Sequence, residues 1–287
     1  MKKIVVPIDF SRQSINALHY TVEMNGNESA EIVLFHAVEY PVPVGLEYGI
    51  ANGDVLGDQM VTAMNGAEEK LKVLIRTMPQ NNIQFTVSVE MGTLIHWVQN
   101  SMPEGNFDLA VIGTTGATGL KGIFVGSNAE KVVRFASCPV LAIPGDAKWK
   151  AVNNIVVPFE SGELTDNFLQ SFKEMQAFSN ATIQLVWVKT PHTLVNEEDL
   201  ISEMAECVSS HGIQKFRVNT RRGFSPAEGI LTFVEETGSE LIAMPTHGRK
   251  GIKHLFMDSV TEAVVNKTDI PVWTFNIGIE HKVSEEI

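Results

Sequence analysis

Cysteine is nearly absent: Cys138 and Cys207 are the only two in 287 residues. They stand far apart in the chain, which argues against a disulfide framework or a cysteine metal site and leaves two thiols in reducing surroundings. No apolar run approaches the roughly 20 residues that span a bilayer, so no membrane partner is expected. The start, Met1-Lys2-Lys3 running directly into Ile4-Val5-Val6-Pro7, is a strand too short for the core of a signal peptide. The expected location is cytoplasmic. A basic excess is missing as well. The net charge is −12, shared equally: residues 1–146 carry 9 basic and 15 acidic side chains, and residues 147–287 carry 13 and 19. Each half is therefore at −6, the wrong sign for a nucleic-acid backbone.

What is present is a soluble globular composition, 44% hydrophobic and 20% charged, in a chain long enough for two domains. The chain repeats itself. Lys3-Ile4-Val5-Val6-Pro7-Ile8-Asp9 returns as Asn154-Ile155-Val156-Val157-Pro158-Phe159-Glu160. The run Ile32 to Val38 returns at Ile183 to Val188, and Cys138 to Ile143 returns at Ile270 to Phe275. Helical patterns lie between these marks, at Ser14 to Met24, Met60 to Thr77 and Leu94 to Ser101, and then at Thr165 to Phe178, Glu197 to Ser210 and Ala227 to Glu236. Further short strands are expected at Gln84 to Val89 and Lys215 to Val218. Strands alternating with helices of this length imply right-handed parallel crossovers. Each half therefore reads as a doubly wound, Rossmann-like α/β unit of five strands, with the domains at 1–146 and 151–279 and a polar linker near Pro144 to Val152. The repeat offsets place extra residues of the first half between Glu39 and Gln59, read as a loop after the second strand that covers a pocket.

The stretch Gly113 to Asn128, GTTGATGLKGIFVGSN, follows the apolar run Leu109-Ala110-Val111-Ile112 and precedes a helical pattern. It is a strand, a glycine-rich loop and a helix N-terminus, whose unpaired N–H groups favour an anion. Gly113 is expected to turn the chain off the strand. Gly116 and Gly126 would admit a ligand close to the backbone, and Ser127 would cap the helix or donate to a phosphate. Gly126-Ser127 lacks the lysine of a Walker A loop, and no G-x-G-x-x-G follows the first strand, so both of those nucleotide motifs are excluded.

The spacing of glycine, two residues, glycine, nine residues and Gly-Ser, together with the repeat, resembles the universal stress protein family, and the likeness covers nearly the whole chain as two such domains in tandem. The resemblance implies an adenine nucleotide alpha hydrolase-like fold of strand order 3-2-1-4-5 and a pseudo-dimer in which the fifth strands pair, Val140 to Ile143 beside Val272 to Phe275. It implies ATP, ADP or AMP as ligand, with Mg2+ or Mn2+ as a possible companion. Carried over residue by residue, it assigns Pro7, Ile8 and Asp9 to the nucleoside, with the Asp9 carboxylate on the ribose. The backbone of Ala37 and Val38 falls to adenine, and Gly113, Thr114, Gly116, Gly126, Ser127 and Asn128 to the phosphates. Asp9 on its own reads equally well as a helix N-cap before Ser11.

The second half departs from this pattern. Pro245 stands where Gly113 does, Asp258 where Gly126 does, and Glu160 where Asp9 does. Proline offers no N–H, and an aspartate at a helix N-terminus puts negative charge where a phosphate would sit. Nucleotide binding is therefore expected in the N-terminal domain alone. The second loop still carries His247, Arg249, Lys250, Lys253, His254 and Asp258. His247, His254 and Asp258 are candidate metal ligands and the cations a candidate anion site; the competing reading is a solvated basic loop whose Asp258 caps the next helix. Arg221-Arg222-Gly223 adds charge of unknown placement. His36, on an apolar strand, reads as a core histidine.

Phosphoryl transfer requires a positioned base, metal ligands and charge around the transferring group, and only Asp9 and Lys121 offer themselves. The expected function is thus a nucleotide-dependent stress-response sensor or adapter, with an unidentified protein partner and a possible homodimer, and not an enzyme. A scaffold indifferent to nucleotide is the first alternative and a slow ATPase the second.

Overall fold

The computed structural model describes residues 1–39, 53–79, 82–115, 127–191, 193, 195–247 and 255–278. The first half runs β1 (Lys2–Pro7), α1 (Arg12–Asn25), β2 (Ala30–Val38), α2 (Gly53–Arg76), β3 (Ile83–Met91), α3 (Leu94–Asn100), β4 (Leu109–Thr114), α4 (Ser127–Phe135) and β5 (Val140–Pro144). The second half runs β6 (Asn154–Pro158), α5 (Asp166–Ser179), β7 (Thr182–Lys189), α6 (Glu197–Ser209), β8 (Phe216–Arg222), α7 (Pro226–Thr237), β9 (Leu241–Thr246), α8 (Leu255–Lys267) and β10 (Val272–Asn276). Among the described residues, no helix is long and apolar enough to cross a membrane.

The ten strands form one sheet in the order β3-β2-β1-β4-β5-β10-β9-β6-β7-β8. Each half therefore has the order 3-2-1-4-5, as the resemblance implied. Pairing within each half is parallel, and the halves join through the antiparallel pair β5–β10, with Ala142 opposite Val272 and Val140 opposite Thr274. Joining the two fifth strands removes an exposed edge from each half.

Alternation along the strands sends apolar side chains to both faces, as a sheet covered on both sides requires. In β1, Ile4 and Val6 pack beneath α1 and α2 with Leu18 and Leu71, while Val5 packs on the opposite face with Trp97, Val98 and Val132. Both cores run through the seam. Phe168, Phe172, Trp273 and Phe275 continue the first, and Ile230, Phe233 and Val264 continue the second.

Helix starts follow local chemistry. Ser11, Thr93, Thr165, Asn196 and Ser225 each cap a helix by accepting a backbone N–H of the first turn, and Pro226 occupies the first turn of α7, where its missing N–H costs nothing. The N-cap of α1 is thus Ser11, not Asp9. The expected loop from Glu39 to Gln59 is corrected in part. Its residues 53–59 belong to α2, which has 24 residues against 13 in its counterpart α6. Gly53 and Gly57 read as loop signals because each costs roughly 1 kcal/mol in a helix. The strongly amphipathic continuation, with Ala67 and Leu71 buried, outweighs them. Residues 40–52 lie outside the described part.

The polar linker after β5 lies along α1. Arg12 pairs with Asp146 at 2.7 Å, the Asn16 amide donates to the carbonyls of Gly145 and Ala147, and Trp149 meets Tyr20 edge to face.

Candidate functional site

In a doubly wound sheet the crevice opens where strand order reverses, at the carboxyl ends of the strands. In the first domain that point lies between β1 and β4, paired through Ile4–Leu109 and Val5–Ala110. A crevice of about 260 Å³ is found there, lined by Pro7, Ile8 and Asp9 after β1, Phe35, His36 and Ala37 of β2, Ile112, Gly113 and Thr114 of β4, and Asn128 and Ala129 of α4. Ser11, Gln13, Ser14, Glu39, Leu94 and Thr115 complete the wall. Of the residues singled out from the sequence, Pro7, Ile8, Asp9, Ala37, Gly113, Thr114 and Asn128 are brought together. Val38 is not among the lining residues; its carbonyl accepts instead from the Gly92 N–H at 3.1 Å. Gly116 and Gly126 lie outside the described residues, and Ser127 is the first residue of α4.

Gly113 does a different job from the one its loop position suggested. It is inside β4, and a Cβ there would overlap the backbone carbonyl of Gln13 in the first turn of α1. The bare backbone at Gly113 lets α1 press directly on the strand, which fixes the side of the crevice carrying Asp9. Asp9 itself is exposed, and its Oδ1 accepts from the Ser11 N–H at 3.0 Å. Partial desolvation pushes the Asp9 carboxyl up, but hydrogen bonds with Ser11 and Ser14 outweigh this and hold it below the usual aspartate value. The carboxylate at the crevice mouth is therefore ionised and fixed in place.

Sequence reasoning missed three features of this wall and its backing. His36 is half-buried, not enclosed, and its Nδ1 donates to the Ile8 carbonyl at 2.6 Å, so in the neutral ring Nε2 is left as an acceptor. Phe10 adopts a left-handed backbone with φ of 63°, uncommon for a bulky residue, and its ring packs on His36 and beneath the Lys70 ammonium. Ser11 and Ser14 hold Asp9, a role that only the serine-rich run Ser11 to Ser14 hinted at.

The corresponding point in the second domain, between β6 and β9, is built differently. The N-cap Ser11 follows Pro7 by four residues, whereas the N-cap Thr165 follows Pro158 by seven. The longer turn delivers Glu163 into the interior, where its Oε2 lies 2.6 Å from Nε2 of His247, just beyond β9. Both side chains are buried, 7% and 10% exposed. Of the candidate metal ligands, His247 thus has its Nε2 on a carboxylate, His254 lies outside the described residues, and Asp258 falls within α8. Among the described residues, no group of three or more histidine, cysteine or acidic side chains is placed to hold a metal ion. Arg221 of the basic run pairs with Glu236 of α7.

Comparison with known proteins agrees with this architecture. The universal stress protein family matches residues 1–144 and again 152–276. A universal stress protein of Mycolicibacterium smegmatis is 23% identical over 290 residues, covering 94% of this chain and 95% of that one. One from Synechocystis is 26% identical over 178 residues, covering 60% of this chain and 59% of its own length. Among solved structures, a universal stress protein from Archaeoglobus fulgidus superposes with a TM-score of 0.69 at 19% identity, over 96% of this chain and 98% of that chain. The chain belongs to the universal stress protein family and carries two of its domains in tandem.

Proposed function

We propose that the N-terminal domain binds an adenine nucleotide, ATP, ADP or AMP, in the crevice between β1 and β4, and that its occupancy changes which partner the protein engages. The observation that carries this reading is the fixed, ionised Asp9 carboxylate at the mouth of an open crevice at the strand-order reversal. A carboxylate there accepts from ribose hydroxyls, and the backbone of β2 beside Ala37 offers an amide edge to a base. The first-turn N–H groups of α4, from Ser127 onward, have no partner within their own helix and suit a phosphate.

The fit has one consequence for charge. Among the described lining residues there is no lysine or arginine, while Asp9 and Glu39 are acidic. A di- or triphosphate would need a divalent cation, Mg2+ or Mn2+, to offset its own charge against these carboxylates. The second domain, with Pro245 in β9 and Glu163 in its crevice, takes no nucleotide, so one nucleotide per chain is the expected stoichiometry. Binding rather than turnover is the expected activity.

Native mass spectrometry of the purified chain with ATP and magnesium tests the proposal. One adenine nucleotide per wild-type chain and none after Asp9→Ala or Gly126→Asp, with each variant still unfolding cooperatively, is the expected result. No bound nucleotide in the wild type at millimolar ATP would replace this reading with a nucleotide-independent adapter.

A further inference from the structure

The sheet ends on two edge strands, β3 and β8. An edge strand offers unpaired backbone N–H and C=O groups to another strand, and folded proteins blunt such edges with charge, proline, a bulge or short length. β8 is blunted by charge: three of its seven residues are arginines, Arg217, Arg221 and Arg222. Were two copies to pair through it about Asn219, Arg217 of each would face Arg221 of the other, and like charges directly opposite repel. β3 has none of these defences. It runs for nine residues, IQFTVSVEM, with no lysine, arginine or proline, and its register with β2 advances without a break from Ala30–Ile83 to Val38–Met91. Its one charged residue, Glu90, is held against its own domain, where the carboxylate accepts from Trp97 Nε1 and from the Ser101 hydroxyl, each at 3.1 Å.

The bonds at the two ends of β3 fix which of its backbone groups face outward. The Ala30 N–H donates to the Asn82 carbonyl at 3.4 Å, and the Gly92 N–H donates to the Val38 carbonyl at 3.1 Å. Backbone groups of alternate residues face a given neighbour in a ladder, so the even-numbered residues of β3 bond to β2. Ile83, Phe85, Val87, Val89 and Met91 therefore turn their N–H and C=O groups to the edge. All five are apolar and half-buried, and the first four pack against the core that runs beneath α2. Gln84, Thr86, Ser88 and Glu90 project from the other face.

We propose that β3 is a docking edge for a second copy of this chain, the two β3 strands pairing antiparallel about a two-fold axis at Val87. In that register Val87 faces its own counterpart, Phe85 faces Val89 and Ile83 faces Met91. Each outward N–H and C=O then meets an outward group of the other copy, as the hydrogen-bonded pairs of an antiparallel ladder require. Every half-buried apolar side chain of the edge meets another apolar one. On the opposite face Thr86 meets Ser88 and Gln84 meets Glu90, so no like charges confront each other. The strand is thus its own complement in backbone, apolar pattern and charge, which is why the occupant is a second copy. A two-fold contact of this kind closes at a dimer. The contact needs no nucleotide and is independent of the crevice reading.

Sedimentation of the full chain over a range of concentrations tests the proposal, with wild type expected to show a reversible monomer–dimer equilibrium. Gln84 is exposed, so its variants leave the fold in place. Gln84→Glu sets two like-charged pairs across the axis and is expected to weaken the dimer about tenfold, whereas Gln84→Lys sets two attractive pairs and is expected to tighten it about fivefold. Cross-linking reads the register directly, in a Cys207→Ser background. Opposed residues of a hydrogen-bonded pair have Cα atoms about 5.5 Å apart, within disulfide reach, so Val87→Cys is expected to form a disulfide-linked dimer under mild oxidation. Val89 lies four positions from its counterpart, roughly 13 Å along the strand, so Val89→Cys is expected to stay unlinked. A wild-type chain that stays monomeric into the high-micromolar range, assemblies that grow beyond a dimer, a dimer indifferent to the charge at position 84, or equal cross-linking at 87 and 89 would each overturn the proposal.

Discussion

Asn276 donates a hydrogen bond from Nδ2 to the backbone carbonyl of Arg134 at 2.8 Å, across the seam between the two domains. Arg134 lies in the last turn of α4, where helix carbonyls lack partners, and α4 begins at the loop proposed to hold phosphate. The same amide accepts the Gly278 N–H on Oδ1 at 3.0 Å, beside the turn that closes on His247. One buried side chain of the second domain thus caps α4 of the first. The pseudo-symmetric position in the first domain is Pro144, so the bond is made in one direction only. Asn276→Ala is expected to cost roughly 1–3 kcal/mol, since two part-buried hydrogen bonds are lost together. Urea unfolding checks this, and a loss near zero would mean that β5–β10 pairing alone holds the seam.

Gly113→Ala should destabilise the first domain. The added Cβ meets backbone, the Gln13 carbonyl, and backbone of a capped first turn cannot swing aside as a side chain can. Overpacking of this kind costs about 1–3 kcal/mol. Thermal unfolding should show the loss, and nucleotide binding should weaken with it, because α1 carries the serines that fix Asp9. A variant of unchanged stability would show that α1 does not bear on β4.

Much of this was legible in the sequence because the repeat is strong where strands are buried. Ile4-Val5-Val6-Pro7 and Ile155-Val156-Val157 are apolar on both faces, and such runs have few alternatives to a central parallel strand. The pairing of Val140 to Ile143 with Val272 to Phe275 followed from the family resemblance together with the need to protect sheet edges. Glu163 was not legible. Aligning the halves on their glycines passes over the three residues that lengthen the turn before Thr165, and a glutamate between Gly162 and Leu164 reads as solvated until a fold buries it. His36 was misplaced for a related reason: an apolar strand hides which of its residues reaches the strand end, where the core gives way to the crevice.

Glu160 and Asp9, equivalent in the repeat, respond oppositely to pH. Burial, then the charges of Glu163 and Glu203, raise the Glu160 carboxyl above the ordinary glutamate value of 4.5. The folded state then holds that proton more tightly than the unfolded chain. Its contribution is fully present below pH 4.5 and is lost as pH rises through the folded value. Asp9 is depressed below 3.8, so its contribution is present above that pH and lost as pH falls through the folded value. Glu160→Gln should therefore match wild type near pH 4 and exceed it at pH 7, by less than about 1 kcal/mol because the side chain is exposed and screened. Asp9→Asn should lose stability at pH 7 and converge on wild type in acid. Thermal unfolding of all three proteins between pH 3 and 8 decides the signs.

On the proposed nucleotide reading, the acidic lining of the open crevice is expected to make binding depend on a divalent cation in a graded way. AMP brings one phosphate and can be neutralised largely by the N–H groups at the start of α4. ATP brings two more phosphates toward a wall whose described charged residues are Asp9 and Glu39. Chelating magnesium is therefore expected to weaken ATP binding at least tenfold, ADP less, and AMP least. Glu39→Gln should narrow the gap between ATP with and without metal, since it removes one of the two carboxylates that the cation offsets. Calorimetric titrations of the three nucleotides with magnesium and with EDTA measure this order. Equal metal dependence for all three would place the phosphates away from this wall and the cation at some other group.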